Sequence, residues 1–160
     1  MSNLKNFYRE IAPLSSGDSF LVFDRIKDNF DFPVHYHPEF ELTYIVKGQG
    51  KRYVGSRVDD YRSGDLVLLG ENLPHCWKTG NYQPGAINAV SIVIHFRKDF
   101  LGETFLTLPE LRSVSKLLDL AMNGLCFTGP VVMEVAQRMQ ALLPEQNGLK
   151  KIGVLLEILS

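Results

Sequence analysis

Between Asp18 and Phe96 the apolar positions fall in short runs, "SFLVFDRI", "FELTYIVK", "KRYVGSRV", "DLVLLG", "HCWKT" and "AVSIVIHF", cut by Gly, Asn, Asp and Pro. Runs of this length, rich in Val, Ile, Tyr and Phe, predict strands, and their density predicts a sandwich or barrel. In "FELTYIVK", Phe40, Leu42, Tyr44 and Val46 alternate with Glu41, Thr43, Ile45 and Lys47. One face of that strand is strongly apolar and needs a cover, from the protein's own core first and from a partner second. After Phe96 the period lengthens to about 3.6 residues. Leu111, Val114, Leu117, Leu118 and Ala121 form one stripe, led by Pro109 and stopped by Gly124. Val132, Val135, Met139, Leu142 and Leu143 form a second between Pro130 and Pro144, and "NGLKKIGVLLEILS" begins a third. The expected order is therefore a mainly β domain over residues 1–100, with an N-terminal arm up to about residue 17, and a helical segment over 101–160. An apolar helical pattern running to Ser160 predicts either a longer chain or a last helix docked on its own core or on a second copy.

Composition narrows the function classes. The 160 residues suit one compact domain plus a few helices. A net charge of −1 lacks the basic surplus needed to grip a phosphate backbone directly. No basic start leads into an apolar segment, and no apolar run is long enough for a membrane span, so a cytoplasmic location and no membrane partner are expected. Cys76 and Cys126 share no motif spacing and are expected to be free thiols.

The candidate chemistry sits in "FPVHYHPEFELTYIVKGQG". His35 and His37, two apart, point to one face of a strand. Along a straight strand Glu41 would lie roughly 20 Å from His35, too far to share a ligand. Pro38 supplies a reversal, so Glu41 is expected to return on a neighbouring antiparallel strand. Downstream, "SGDLVLLGENLPHCW" delivers His75. Three histidines and a glutamate suit divalent Zn, Ni, Fe or Mn. They equally suit a polar cavity lining satisfied by mutual hydrogen bonds and water, and both readings stay open. Further ligand-binding candidates are Glu39 in the turn, Tyr53 after the "KGQGKR" hairpin, Trp77 beside His75, placed to stack on a sugar ring, and His95 in a late strand. Lys47, Lys51, Arg52 and Arg57 read as a solvated hairpin edge.

His35, His37, Glu41 and Gly48 together resemble the first cupin motif, and "GDLVLLGENLPH", with Gly64 and His75 in register, resembles the second. Asn29 replaces a leading glycine, Gly70 and Asn72 stand where proline and glycine are usual, and Thr79 replaces a final asparagine. The four ligand positions are kept. The resemblance implies a cupin-like double-stranded β-helix, a jelly-roll barrel, with C-terminal α-helices. With "LPEL" and the amphipathic helices added, the chain from "YREI" onward resembles the effector-sensing half of an AraC-type transcriptional regulator. That implies a small-molecule effector, such as a sugar, in the barrel, a homodimer through the 101–160 helices acting as dimerisation and linker segment, and no catalytic residue. Contact with DNA would come only through a helix-turn-helix domain beyond residue 160. The arm and the helices are the expected moving parts. The alternative is a metal-dependent cupin enzyme, a dioxygenase, isomerase or lyase, holding its metal on the same four residues.

Overall fold

A computed structural model describes residues 7–11, 14 and 17–160; the expected N-terminal arm lies partly outside these. Among the described residues, ten strands form two five-stranded sheets. Strand β1 (Tyr8–Arg9), β3 (His35–Tyr36), β8 (His75–Thr79), β5 (Gln49–Val54) and β6 (Arg57–Arg62) lie side by side in the first. The second runs β10 (Leu125–Phe127), β7 (Leu66–Leu69), β4 (Phe40–Lys47), β9 (Ala89–Phe96) and β2 (Phe20–Lys27). Val54, Tyr61 and Trp77 of the first sheet pack with Ile45, Val67 and Leu69 of the second, so the sheets close on each other. This is the expected cupin-like jelly roll.

Three helices, α1 (Arg112–Ala121), α2 (Val131–Leu142) and α3 (Gly148–Leu159), cover the outer face of the second sheet. Phe40, Leu42 and Tyr44 of β4 join Val114, Leu118, Val135, Met139 and Leu155 in one core, which answers the demand made by the alternation in β4. Val46, the last member of that stripe, is exposed. The Asn147 side chain caps α3 by accepting from the Lys150 N–H at 3.0 Å. None of the described helices is long and apolar enough to cross a membrane. Both cysteines are free, Cys76 buried and Cys126 exposed.

Four expectations need correction. The run "KRYVGSRV" is not one strand: it turns at Gly55, whose φ of 57° is left-handed, and splits into the β5–β6 hairpin. The helical segment contains a strand, because Gly124 ends α1 and lets β10 add to β7. Pro38 does not return the chain to a neighbouring strand of one sheet; it carries the chain from β3 in the first sheet to β4 in the second. Arg52 is not a solvated edge residue: it faces inward from β5 at 6% exposure, paired with Asp65 and lying 3.7 Å from Asp59. Asn72 takes the left-handed φ of 57° where the motif resemblance expects glycine, and its N–H donates to the His37 carbonyl at 2.8 Å.

Candidate metal centre and cavity

The crossing at Pro38 lets two motifs from opposite sheets meet. His35 of β3 stands directly opposite His75 of β8, while Glu41 of β4 stands opposite His95 of β9. The parity of each strand aims these side chains inward, and all of them are buried. His35, His37 and His75 bring ring nitrogens within 4.8 Å of one another, as do the ligand atoms of His37, Glu41 and His95. The four residues expected from the sequence are thus gathered in two overlapping groups that share His37, and His95 joins the second.

Glu41 is the hub. Its Oε1 accepts from the Thr43 hydroxyl at 2.6 Å. Its Oε2 lies 3.2 Å from His37 Nε2, 2.6 Å from His95 Nε2 and 3.6 Å from His75 Nε2. Burial pushes the Glu41 carboxyl upward, but the His75, His37 and His95 rings outweigh it and hold the group well below the usual carboxylate range. Burial likewise opposes charge on His37, yet Glu41 with Glu10 and Glu39 raises it. Glu41 thus favours the protonated form of His37 in the metal-free site. His75 goes the other way, because burial lowers it more than Glu41 raises it.

The backbone fixes the tautomers. His35 Nδ1–H donates to the Pro33 carbonyl at 3.0 Å and His75 Nδ1–H to the Leu73 carbonyl at 2.8 Å. Each ring then presents the Nε2 lone pair to the interior, and both Nε2 atoms are buried without a hydrogen-bond partner. Lone pairs aimed at a carboxylate conflict unless a cation lies between. Ligand atoms at about 2.0 to 2.2 Å from one ion, at right angles to tetrahedral angles, stand about 2.8 to 3.6 Å apart. The 3.2 and 3.6 Å separations of Glu41 Oε2 from His37 and His75 fall in that range, so these donors fit a divalent cation, while the 2.6 Å contact with His95 is a direct hydrogen bond.

A cavity of about 610 Å³ opens onto this cluster. His35 and Glu41 meet it, whereas His37, His75 and His95 stand behind them. Thr43 and Ser91 give it hydroxyls, and Phe30, Phe32 and Trp77 give it an aromatic side. Trp77 is 8% exposed and its indole N–H has no partner, a donor free for a ligand acceptor. Glu39 is buried in the turn with Oε2 3.5 Å from His37 Nδ1, away from this cavity. Tyr53 does not reach the wall: it pairs with Cys76 on the face of β5 opposite Arg52 and Val54. Several cavity residues had no sequence signal, Arg25 and Glu10 among them. Arg25, stacked over the Phe23 ring at 5.2 Å, reads as a strand polar position, and Glu10 arrives from the N-terminal arm.

Residues 19–148 match the family described as the AraC-like ligand binding domain. The chain belongs to this family. No curated protein sequence matches it. Among solved structures, an apo lysine-to-alanine variant of ToxT from Vibrio cholerae matches with a TM-score of 0.56 at 12% identity, over 89% of this chain and 53% of that one. ToxT from Vibrio cholerae bound to (E)-4-(8-methylnaphthalen-1-yl)but-3-enoic acid matches with a TM-score of 0.50 at 15% identity, over 87% and 54%. A point variant of Bacillus subtilis oxalate decarboxylase OxdC matches with a TM-score of 0.43 at 18% identity, over 51% and 22%. At these identities the ToxT likeness concerns fold alone, and the decarboxylase likeness is too slight to use. The chain spans about half the length of ToxT and about a fifth of the decarboxylase. As an AraC-like member it is an effector-sensing domain, as its two histidine motifs and helices imply.

Proposed function

We propose that the cavity above His35 and Glu41 binds a small polar effector, such as a sugar, and that a divalent metal held by His35, His37, Glu41 and His75 anchors it. The observation that carries this reading is the meeting of a lone-pair cluster with a cavity in a ligand-binding family. The metal would supply a fixed positive charge for an effector oxygen; the chain's own residues would orient it through Thr43, Ser91 and the Trp77 N–H. Zn, Ni, Fe and Mn all suit such mixed donors.

Effector binding changes output only if it favours one of two arrangements of the attached parts. In this reading the parts are a second copy, joined through the helical segment, and a DNA-binding domain following residue 160. Exposed Leu120, Met133 and Leu149 on the helices favour the first. The match to a ligand-binding family favours binding over turnover by a metal-dependent cupin enzyme. The test uses Trp77, the single tryptophan of the chain. Untagged protein should carry about one metal per chain, and a panel of monosaccharides should include one that shifts Trp77 emission in the loaded protein and not after chelation. A site that stays empty on titration with each of the four metals defeats the metal part. Effector binding that ignores chelation separates effector from metal.

A further inference from the structure

We infer that Glu39 is a positioning residue for the metal centre: its carboxylate takes the Nδ1–H of His37 and so turns Nε2 of that ring toward the ion. This inference rests on the metal reading above. His35 and His75 are set by one local device, in which Nδ1–H donates to the carbonyl two residues earlier, Pro33 at 3.0 Å and Leu73 at 2.8 Å. His37 has no such carbonyl. Its Nδ1 is buried without a hydrogen-bond partner among the described residues, and so is Glu39 Oε2, which stands 3.5 Å away. His37 is 2% exposed and Glu39 5%, so water does not readily serve either atom. Each is the partner within reach of the other.

The turn at Pro38 makes the pairing possible. The Asn72 N–H donates to the His37 carbonyl at 2.8 Å and fixes the backbone there, and Glu39 follows two residues on, just before β4 begins at Phe40. On the far edge of the same ring, Nε2 lies 3.2 Å from Glu41 Oε2. The two carboxylates therefore address opposite nitrogens, and Glu39 stands outside both groups of ligand atoms. A metal on Nε2 leaves the ring proton on Nδ1, and a buried N–H needs an acceptor. Closing the gap to Glu39 by roughly half an ångström would make an ordinary charge-assisted bond. A carboxylate in that place strengthens the ring as a donor to metal more than a neutral carbonyl does, so His37 is singled out among the three histidines.

The experiment measures Zn²⁺ affinity by chelator competition at about pH 8, above the ordinary histidine range, together with ring N–H exchange in Zn²⁺-loaded protein labelled with ¹⁵N-histidine. The natural chain should show slowly exchanging Nδ1–H protons on His35, His37 and His75. Glu39→Ala should bind Zn²⁺ about 10 to 100 times more weakly and should speed exchange of the His37 proton by about tenfold or more, leaving those of His35 and His75 unchanged. Glu39→Gln, whose amide carbonyl still accepts, should keep the slow proton at an intermediate affinity. Asp28→Asn, which removes an exposed acid of equal charge, should change neither readout. Natural or tighter affinity in Glu39→Ala, or weakened affinity with the slow His37 proton intact, overturns the role of Glu39 and leaves the metal site standing. Should Glu39→Ala fail to fold, natural affinity in Glu39→Gln overturns it instead. Failure of the natural chain to bind Zn²⁺ overturns both this role and the metal reading.

Discussion

Strand β4 is buried on both faces, and its two faces are stabilised by different physics. Outward, Phe40, Leu42 and Tyr44 meet the helices in an apolar core, where Phe40 stacks on Phe96 with ring centroids 5.4 Å apart. Inward, Glu41 meets three histidines and accepts from the Thr43 hydroxyl, and each contact depends on a proton or ion in the right place. The outer face is held by volume and tolerates changes in pH and metal. The inner face is held by charge and should respond to both. A sensor profits from this division, since the scaffold stays rigid while the site stays responsive.

The largest effect should come from the outer face. Phe40→Ala, removing a buried ring, should cost about 3 to 5 kcal/mol by urea unfolding. On the inner face, Glu41→Gln leaves the shape but removes the anion that the His37 and His95 rings address. Its cost should be about 1 to 3 kcal/mol in metal-free protein, and the thermal stabilisation given by metal should vanish.

The same pair of variants separates the faces by pH. Glu41 is held below its ordinary 4.5, so its contribution is present above that value and is lost as pH falls toward its folded pKa. Glu10, lowered mainly by its contact with His35, adds with the same sign. His37, raised above 6.5, contributes below 6.5 and loses that contribution as pH rises through its folded value. His75, lowered, carries the reverse sign, costing stability as pH falls below 6.5. The two histidines act on opposite sides of pH 6.5, so the Glu41 contribution is isolated by comparing variants at each pH. The stability gap between the natural chain and Glu41→Gln should therefore narrow below pH 4.5, while the gap for Phe40→Ala stays constant. Constant gaps for both would contradict an ionised Glu41.

Smaller still, Asn147→Ala should cost about 1 kcal/mol through loss of the α3 cap and leave metal binding untouched. Tyr53→Ser, on the outer face of β5, should change neither metal affinity nor Trp77 emission on effector binding; a clear change in either would move Tyr53 back to the cavity wall.

How far the sequence could be read follows the same division. The apolar stripes of β4, α1 and α2 were legible because periodicity reports burial directly, and the helices meet β4 as the alternation required. His35, His37, Glu41 and His75 were legible because their spacing and parity are local, once Pro38 is seen as a reversal. What was not legible depends on long-range pairing. Glu10 enters through a two-residue parallel bridge, and β10 exists only because β7 has a free edge beside Gly124. Arg52 looked solvated because its partner Asp65 lies beyond the β6 hairpin. Periodicity also left the sheet of return open: only the full strand order shows that Pro38 carries the chain between sheets, which brings His95 onto Glu41.

The most direct measurement of the central claim is anomalous diffraction at the metal edge, from crystals of untagged protein loaded with one equivalent of Zn²⁺ or Mn²⁺. The expected result is one peak about 2.0 to 2.2 Å from the Nε2 atoms of His35 and His75 and from a Glu41 oxygen. Full metal occupancy at any other place, or none at this cluster, would contradict it.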